Sequence, residues 1–237
     1  MTKLSVNINK IATLRNARGG NMPNLLKAAD DIQRFGAQGI TIHPRPDQRH
    51  IKYTDAFELR SVVNTEFNIE GNPIPEFVDL VLKIKPEQVT LVPDAVDAIT
   101  SNAGWDTRKH FDFLSEIVTE FKRNGIRTSI FMDPEISLIK TAAETGTDRI
   151  ELYTESFAQN FEKGNLKGVI PYVDAATEAL ALGLGINAGH DLNLENLNFF
   201  VKEVPGVLEV SIGHALITDA LYFGLQNVVG MYLQKLI

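Results

Sequence analysis

Eight short β-rich runs alternate with amphipathic helical stretches along the chain, and this alternation constrains the fold more than any other feature of the sequence. Strands that are separated by helices pair in parallel, which favours an α/β fold over a sandwich. The predicted strands are Leu4–Asn9, Gly39–His43, Glu66–Glu70, Gln88–Val92, Arg127–Met132, Arg149–Tyr153, Gly185–Asn187 and Leu208–Ile212. The predicted helices are Leu25–Phe35, Asp55–Val63, Pro75–Ile84, Thr107–Asn124, Glu135–Thr145, Val169–Leu182, Leu194–Val204 and Ile217–Leu236.

Eight such units form either a closed barrel or an open, doubly wound sheet. An open sheet that binds a dinucleotide has a G-x-G-x-x-G turn after its first strand. The first predicted loop is instead long and basic, from Lys10 to Gly20. The chain has 237 residues, close to the roughly 250 of a (β/α)₈ barrel. We therefore predict a single TIM-barrel domain over residues 1–237.

The composition excludes several classes of protein and site. The chain has no cysteine, so disulfides, thiolate metal sites and a cysteine nucleophile are excluded. Its longest apolar runs contain glycines and are shorter than the ~18 residues of a membrane span. Residues 1–10 lack the apolar block of a signal peptide. We expect a cytoplasmic protein without a membrane partner.

The charge is distributed unevenly. The formal net charge is −7, yet residues 1–60 contain ten Lys or Arg and only five Asp or Glu. A local cationic cluster on an acidic chain favours a small anionic ligand, because a nucleic acid would be repelled by the remaining surface. We expect phosphate or carboxylate ligands and no nucleic-acid partner.

Candidate catalytic residues lie at the carboxyl ends of the predicted strands, where barrel enzymes place their active sites. His43, His190 and His214 each end or follow a strand, and Glu70 closes the third. Burial raises the pKa of a carboxyl group toward that of a general base, and an imidazole supplies the matching acid. Glu151 lies inside the sixth strand, where it either reaches the reaction centre or pairs with an arginine.

Two sequence segments have the character of anion sites. Gly213-His214 follows the last strand and precedes a helix, whose N-terminal N–H groups attract phosphate. The segment from Arg45 to His50 follows the second strand and is either a second anion site or a solvated loop. Two anion sites indicate two phosphorylated molecules or one bisphosphate.

The same strand-end residues are compatible with a different chemistry. His43, Glu70, His190 and His214 are possible ligands of a divalent metal. They show neither an i, i+4 pair nor an H-x-H pair, so the spacing favours acid–base use without a metal. No predicted strand ends in lysine, and a protein-bound Schiff base therefore has no obvious carrier.

Six long motifs, in order along the whole chain, resemble the pyridoxine 5′-phosphate synthase family. They are VNINKIATLRNARG (6–19), GITIHPRPDQRHI (39–51), FNIE (67–70), TLVP (90–93), NAGH (187–190) and IGHA (212–215). The resemblance implies a (β/α)₈ barrel that condenses 3-amino-1-hydroxyacetone 1-phosphate with 1-deoxy-D-xylulose 5-phosphate. It also implies release of phosphate and water, the absence of a metal or organic cofactor, and a homo-octamer.

The resemblance also assigns roles to individual residues. His43 and Glu70 match the acid–base pair, His190 a proton donor, and Glu151 a carboxylate that stabilises the transition state. The positions that match the amino-ketone phosphate site are Asn7, Arg18, Gly213 and His214. The positions that match the deoxyxylulose phosphate site are Arg45, His50 and Thr100.

Two positions depart from the family pattern. Asn9-Lys10 stands where many relatives have Asp-His, and Asp191 stands where many have glycine. Lys10 is expected either to contact the deoxyxylulose substrate or to be a solvated lysine, and Asp191 to bind through its backbone N–H. A metal-dependent phosphosugar epimerase or aldolase and a non-catalytic phosphate binder are the alternative functions.

Overall fold

A computed structural model describes residues 1–94 and 103–237. Eight parallel strands close into a barrel in sequence order, and β8 pairs with β1. The strands are β1 Lys3–Asn7, β2 Gly39–Ile42, β3 Glu66–Gly71, β4 Gln88–Leu91, β5 Arg127–Met132, β6 Arg149–Tyr153, β7 Gly185–Gly189 and β8 Val207–Ile212. The predicted parallel barrel is confirmed.

Helices surround the barrel in the described part of the chain. They are α1 Asn9–Asn16, α2 Leu25–Arg34, α3 Tyr53–Arg60, α4 Pro75–Ile84, α5 Phe111–Arg123, α6 Ile136–Glu144, α7 Glu155–Glu162, α8 Ile170–Ala181, α9 Leu197–Glu203, α10 His214–Phe223 and α11 Leu225–Lys235. A short 3-10 helix, Leu166–Val169, precedes α8.

The hydrophobic core lies between the barrel and these helices. Outward strand side chains such as Leu4, Ile40 and Ile69 are fully buried there. Helix α2 illustrates how the helices cover them, since its buried positions recur every three to four residues. The Asn24 side chain caps α2 by accepting the N–H of Lys27 at 2.8 Å. The alternation of apolar and polar residues along the strands therefore places this hydrophobic core outside the barrel wall.

The interior of the barrel is polar, whereas barrels of this fold are usually filled with branched apolar side chains. The hydroxyls of Ser5 and Thr41 lie 2.7 Å apart, and Thr90 Oγ1 donates to Asn68 Oδ1 at 3.1 Å. All four side chains are buried. Because buried polar groups require partners, these side chains form a hydrogen-bonded network across the strands.

Charged side chains gather at the amino-terminal end of the barrel. We call this group the floor cluster; its members are Lys3, Glu66, Arg127, Arg149 and Glu209. Glu66 forms ion pairs with Lys3 at 3.7 Å, with Arg149 at 3.9 Å and with Arg127. Burial and neighbouring Glu66 raise the pKa of Glu209 to about 8. Glu209 therefore holds a proton at neutral pH, and the floor cluster contains no isolated anion.

The first predicted strand and loop were partly wrong. Strand β1 ends at Asn7, two residues early, because Asn7 Oδ1 accepts the N–H of Asn9 at 3.0 Å and turns the chain. Helix α1 then occupies much of the predicted loop. Its buried residues Ile11, Ala12 and Arg15 lie on one face. This is a helical spacing, but the basic residues of the segment led to the prediction of a loop.

Two further helices differ from the prediction. Helix α7 was not predicted; Phe157 anchors it by packing between Tyr172 and Phe200. The predicted final helix is two helices, α10 and α11, because Gly224 adopts a φ of 79°. Glycine tolerates this conformation, which an α-helix does not continue through.

Candidate active site

Two carboxylates project into the barrel toward its carboxyl-terminal end, and we call Glu70 and Glu151 the mouth pair. Glu70 Oε1 accepts hydrogen bonds from Ser211 and Asn68, both at 3.4 Å. Glu151 Oε2 accepts one from Thr90 at 3.5 Å. Burial and the charge of Glu151 raise the pKa of Glu70 well above its ordinary value, and burial raises the pKa of Glu151 to about 7. The mouth pair therefore holds a proton near neutral pH.

The sequence predicts that Glu151 either reaches the reaction centre or pairs with an arginine, and its surroundings distinguish between these two placements. Arg149, on the same strand, belongs to the floor cluster, where it pairs with Glu66 and donates to Asn187 Oδ1 at 3.0 Å. Gly189 on β7 makes room for the carboxylate, since a Cβ there would lie 2.5 Å from Glu151 Oε1. Glu151 thus faces Glu70 at the mouth and shares its barrel interior.

His43 directly follows β2 and is buried. Its backbone N–H donates to Asn9 Oδ1 at 3.0 Å, which ties β2 to the start of α1. Its Nε2 lies 3.5 Å from Asp94 Oδ2, and Asp94 also raises the pKa of Glu70. Burial, with Arg45 next in importance, lowers the pKa of His43 well below its ordinary value. The His43 imidazole is therefore neutral at neutral pH.

Arg45 is held by a buried carboxylate. Its Nη2 donates to Asp94 Oδ2 at 2.6 Å, and both side chains are buried. Asp94 thus links the predicted phosphate-binding arginine to the predicted catalytic His43. Sequence reasoning missed Asp94, although it directly follows the motif that ends at Pro93.

His50 is positioned by helix α1. Its backbone carbonyl accepts hydrogen bonds from Asn16 at 2.8 Å and from Arg15 at 3.3 Å. Arg15 is itself fixed by two 2.7 Å bonds to buried Asp55. Burial, followed by the charges of Arg45 and Lys10, lowers the pKa of His50 to about 4. The charges of Lys10 and Arg45 therefore both act on His50, and the missed helix α1 holds the His50 backbone, whereas Asp94 holds Arg45.

The second predicted anion site lies where β8 passes into α10. Gly213 is the N-cap of α10, and His214 is its first residue. A Cβ on Gly213 would lie 3.0 Å from the Cβ of Asn7, so glycine permits β1 and β8 to approach here. Asn7, Gly213 and His214 thus lie together at the N-terminus of α10, and N–H groups at such a position attract anions.

His190 and Asp191 follow β7 on the same side of the barrel. His190 Nδ1 lies 2.8 Å from Asp191 Oδ2. The His190 ring meets the Tyr153 ring edge-on, with centroids 5.0 Å apart. The charge of His190 partly offsets the burial that raises the pKa of Glu151, and the charge of His214 contributes to the lowered pKa of Asp191. These electrostatic contacts connect the predicted proton donor to the mouth pair and to the Gly213 site.

Two predicted residues are not joined to this group. Arg18 lies in an exposed turn after α1, and no contact in residues 1–94 and 103–237 links its side chain to the other predicted site residues. Thr100 lies outside the described residues. Tyr153, which was not predicted, carries no sequence signal beyond its place at the end of β6.

Two further features of residues 1–94 and 103–237 concern metals and membranes. No group of three or more His, Asp or Glu side chains there has an arrangement that would hold a metal ion. No helix within those ranges is both long enough and apolar enough to cross a membrane.

Solved structures resemble this barrel without close sequence similarity. One is 3-keto-L-gulonate-6-phosphate decarboxylase from Vibrio cholerae, with a TM-score of 0.67, 8% identity and coverage of 99% of this chain and 97% of the other. Another is N-(5′-phosphoribosyl)anthranilate isomerase from Pyrococcus furiosus, with a TM-score of 0.62, 11% identity and coverage of 100% and 98%. At these identities the likeness shows the fold alone.

Sequence relatives are much closer. Proteins named pyridoxine 5′-phosphate synthase are 69% identical in Flavobacterium johnsoniae and 67% identical in Christiangramia forsetii, each over 100% of both chains. The relative of that name in Cytophaga hutchinsonii is 62% identical over 100% of this chain and 99% of its own. Residues 4–237 match the family model described as pyridoxal phosphate biosynthesis protein PdxJ. The chain therefore belongs to the PdxJ family of pyridoxal phosphate biosynthesis proteins.

Proposed function

We propose that this chain condenses 3-amino-1-hydroxyacetone 1-phosphate with 1-deoxy-D-xylulose 5-phosphate to form pyridoxine 5′-phosphate, phosphate and water. Family membership supports this reaction and its vitamin B6 pathway. The observation that carries the assignment of the site is the mouth pair, two buried carboxylates that hold a proton near neutral pH, with the charge of His190 acting on Glu151. Such groups change between acid and base during one reaction.

The chemistry requires several proton transfers in one place. The amine of one substrate attacks the ketone of the other and forms an imine between the substrates, which explains why no lysine of the protein is needed. Dehydration, phosphate loss and ring closure each move protons at neighbouring atoms. In this proposal, His43 and Glu70 act as the acid–base pair, His190 donates a proton, and Glu151 stabilises the transition state.

Each phosphate has its own group of residues in the proposal. Asn7, Arg18 and the N–H groups at Gly213 and His214 hold the amino-ketone phosphate. The residues proposed to hold deoxyxylulose phosphate are Lys10, Arg45, His50 and Thr100. The Asp191 backbone N–H is proposed to contact substrate beside His190. The cationic surroundings that lower the pKa of His50 support an anion site there.

The test is direct conversion of both substrates by the purified chain. We expect pyridoxine 5′-phosphate by mass and absorbance, together with inorganic phosphate, and unchanged turnover after treatment with a chelator. Binding of both substrates without any product would support the non-catalytic alternative. Activity that is lost to the chelator and restored by zinc would support the metal-dependent epimerase or aldolase instead.

We also propose a homo-octamer in the cytoplasm, as the family resemblance implies. Large apolar side chains on α10, including Leu221 and Tyr222, are 73% and 80% exposed, which supports contact with further copies of the chain. Sedimentation analysis tests the octamer, and a monomer at working concentration would contradict it.

A further inference from the structure

The turn after β7 is held in an unusual backbone conformation. His190 has a φ of 79° and Asp191 a φ of 56°, values that few residues other than glycine adopt. The Thr154 hydroxyl lies within hydrogen-bond reach of the carbonyls of Gly189, at 2.9 Å, and His190. Asn196 donates to the carbonyl of Asp191 at 3.1 Å. The surrounding residues therefore determine the direction in which both side chains leave the turn.

This turn aims a carboxylate at one nitrogen of the His190 ring. Asp191 Oδ2 lies 2.8 Å from Nδ1 of His190, and this hydrogen bond lowers the pKa of Asp191. An ionised carboxylate only accepts hydrogen bonds, so Nδ1 must carry the proton. The lone pair of the neutral ring then lies on Nε2. The edge-on Tyr153 ring packs against the imidazole and limits its rotation.

We infer that the Asp191 side chain is a positioning residue that orients His190 and keeps the exchangeable proton of its acid form on Nε2. The inference rests on the proposed function, in which His190 donates a proton to the reacting substrates. It is separate from the proposed contact of the Asp191 backbone N–H with substrate, which any residue except proline supplies.

The charge of Asp191 has a definite effect on proton transfer. A carboxylate that is hydrogen-bonded to Nδ1 offsets the positive charge that the ring carries in its acid form, so its loss should change the proton transfer. Other titratable or charged groups act on the same environment from the neighbouring elements. They are Glu151 and Tyr153 on β6, Glu155 on α7, Asp133 after β5 and His214 on α10. Among the residues that the structure describes, Asp191 alone is hydrogen-bonded to the ring.

Two variants of Asp191 separate its charge from its hydrogen bond. Asp191→Asn keeps an acceptor for Nδ1–H and removes the charge, whereas Asp191→Gly removes both and suits the positive φ. We expect the alkaline limb of the kcat profile to move to lower pH in Asp191→Asn, because the charge beside the ring is lost. In Asp191→Gly we expect the same displacement and a further fewfold loss of kcat, with KM for both substrates within twofold.

Glu195→Gln is the matched control, because Glu195 is exposed in the same loop and its substitution removes the same charge. Its pH profile should coincide with that of the parent chain. Coincident profiles for the parent and both Asp191 variants would overturn the inference. A displacement of equal size in Glu195→Gln would also overturn it, since the effect would then be one of net charge.

A measurement that needs no turnover distinguishes this inference from the proposed function. In ¹⁵N-histidine spectra, with His190→Gln used for assignment, neutral His190 should carry its proton on Nδ1 in the parent chain. In Asp191→Gly the proton should move to Nε2. The same tautomer in both proteins would overturn the inference even if the condensation proceeds. Absence of product with a normal tautomer change would contradict the proposed function alone.

Discussion

The floor cluster and the mouth pair bury acids in the same barrel, but only the floor cluster surrounds them with cations. Glu66 contacts three basic side chains. Glu70 and Glu151 instead have hydroxyl and amide partners and each other's charge. An opposite charge favours the ionised form of a carboxyl group, whereas burial and like charges favour the protonated form. The comparison teaches that neighbouring charges act together with burial to decide whether such an acid takes part in ion pairs or holds a proton.

The largest expected effect tests the mouth pair. Glu70→Gln should lower kcat about 10²- to 10⁴-fold, the scale of general acid–base catalysis, and His43→Asn should act similarly. The free energy of unfolding of Glu70→Gln should not fall, because the amide removes a like charge from beside Glu151. Steady-state kinetics and urea unfolding measure the two quantities.

Glu209→Gln is the matched control for this change, since Glu209 holds a proton in the floor cluster at neutral pH. Its kcat should stay within threefold of the parent value. Turnover of Glu70→Gln within a fewfold of the parent would remove Glu70 from the acid–base role.

Removal of a cation tests the floor cluster. Arg149→Met leaves half-buried Glu66 with fewer cations and buried Asn187 Oδ1 without its donor, so the free energy of unfolding should fall by about 1–3 kcal/mol, while kcat of the folded fraction stays within threefold. Lys3→Met is the control, because the Lys3 side chain is 52% exposed and its loss should cost less than about 1 kcal/mol. If Arg149→Met lost activity without losing stability, the division between floor and mouth would be wrong.

The pH dependence of stability separates the two regions further. The pKa of Glu151 is raised to about 7 by folding, so its favourable contribution is complete below its ordinary pKa and is lost as pH rises through 7. Between pH 5 and 8, the parent chain should lose about 3 kcal/mol more than Glu151→Gln. Urea unfolding across this range measures the difference. If the free energies of unfolding of the two proteins changed with pH in parallel, the ionised form of Glu151 would cost the folded chain little stability.

Substitutions of the arginines compare the two sides of the mouth. Arg18→Ala should mainly weaken the amino-ketone phosphate, and Arg45→Ala the deoxyxylulose phosphate, each by about 1.5–3 kcal/mol. Calorimetry with each substrate measures both values. Equal weakening of both ligands by both changes would contradict two distinct phosphate sites.

The smallest expected effect concerns Lys10. Its charge acts on His50, so Lys10→Ala should raise KM for deoxyxylulose phosphate about three- to tenfold and leave kcat within twofold. Lys27→Ala, an exposed lysine on α2 that pairs with Asp31, is the control. Identical kinetics for Lys10→Ala and the parent would identify Lys10 as a solvated lysine.

Much of the fold was predictable because it depends on local periodicity. All eight predicted strands correspond to strands of the barrel. Helix α1 was missed because its buried Arg15 resembled a loop residue until Asp55, forty residues later in the chain, supplied its partner. The break between α10 and α11 was missed because a glycine in a long apolar run is compatible with a helix until its φ is known.

The candidate site was predictable in its residue types and in its end of the barrel, since strand-end histidines and acids converge by topology. Its internal connections were not. Asp94 joins Arg45 to His43 from another strand, and Asp191 meets the ring of His190 only because both residues have positive φ. Motifs within one segment do not reveal such partners.

The sequence by itself determined the barrel, the family and the acids and histidines available at the mouth, because each depends on residue order along the chain. The tertiary structure decided which acids lie beside cations and which lie beside another carboxyl group instead. Glu66 and Glu70 lie four residues apart on one strand, yet one faces Arg127 and the other faces Glu151. Electrostatic energy depends on distance in space, so their protonation follows from the closed barrel and cannot be obtained from residue order.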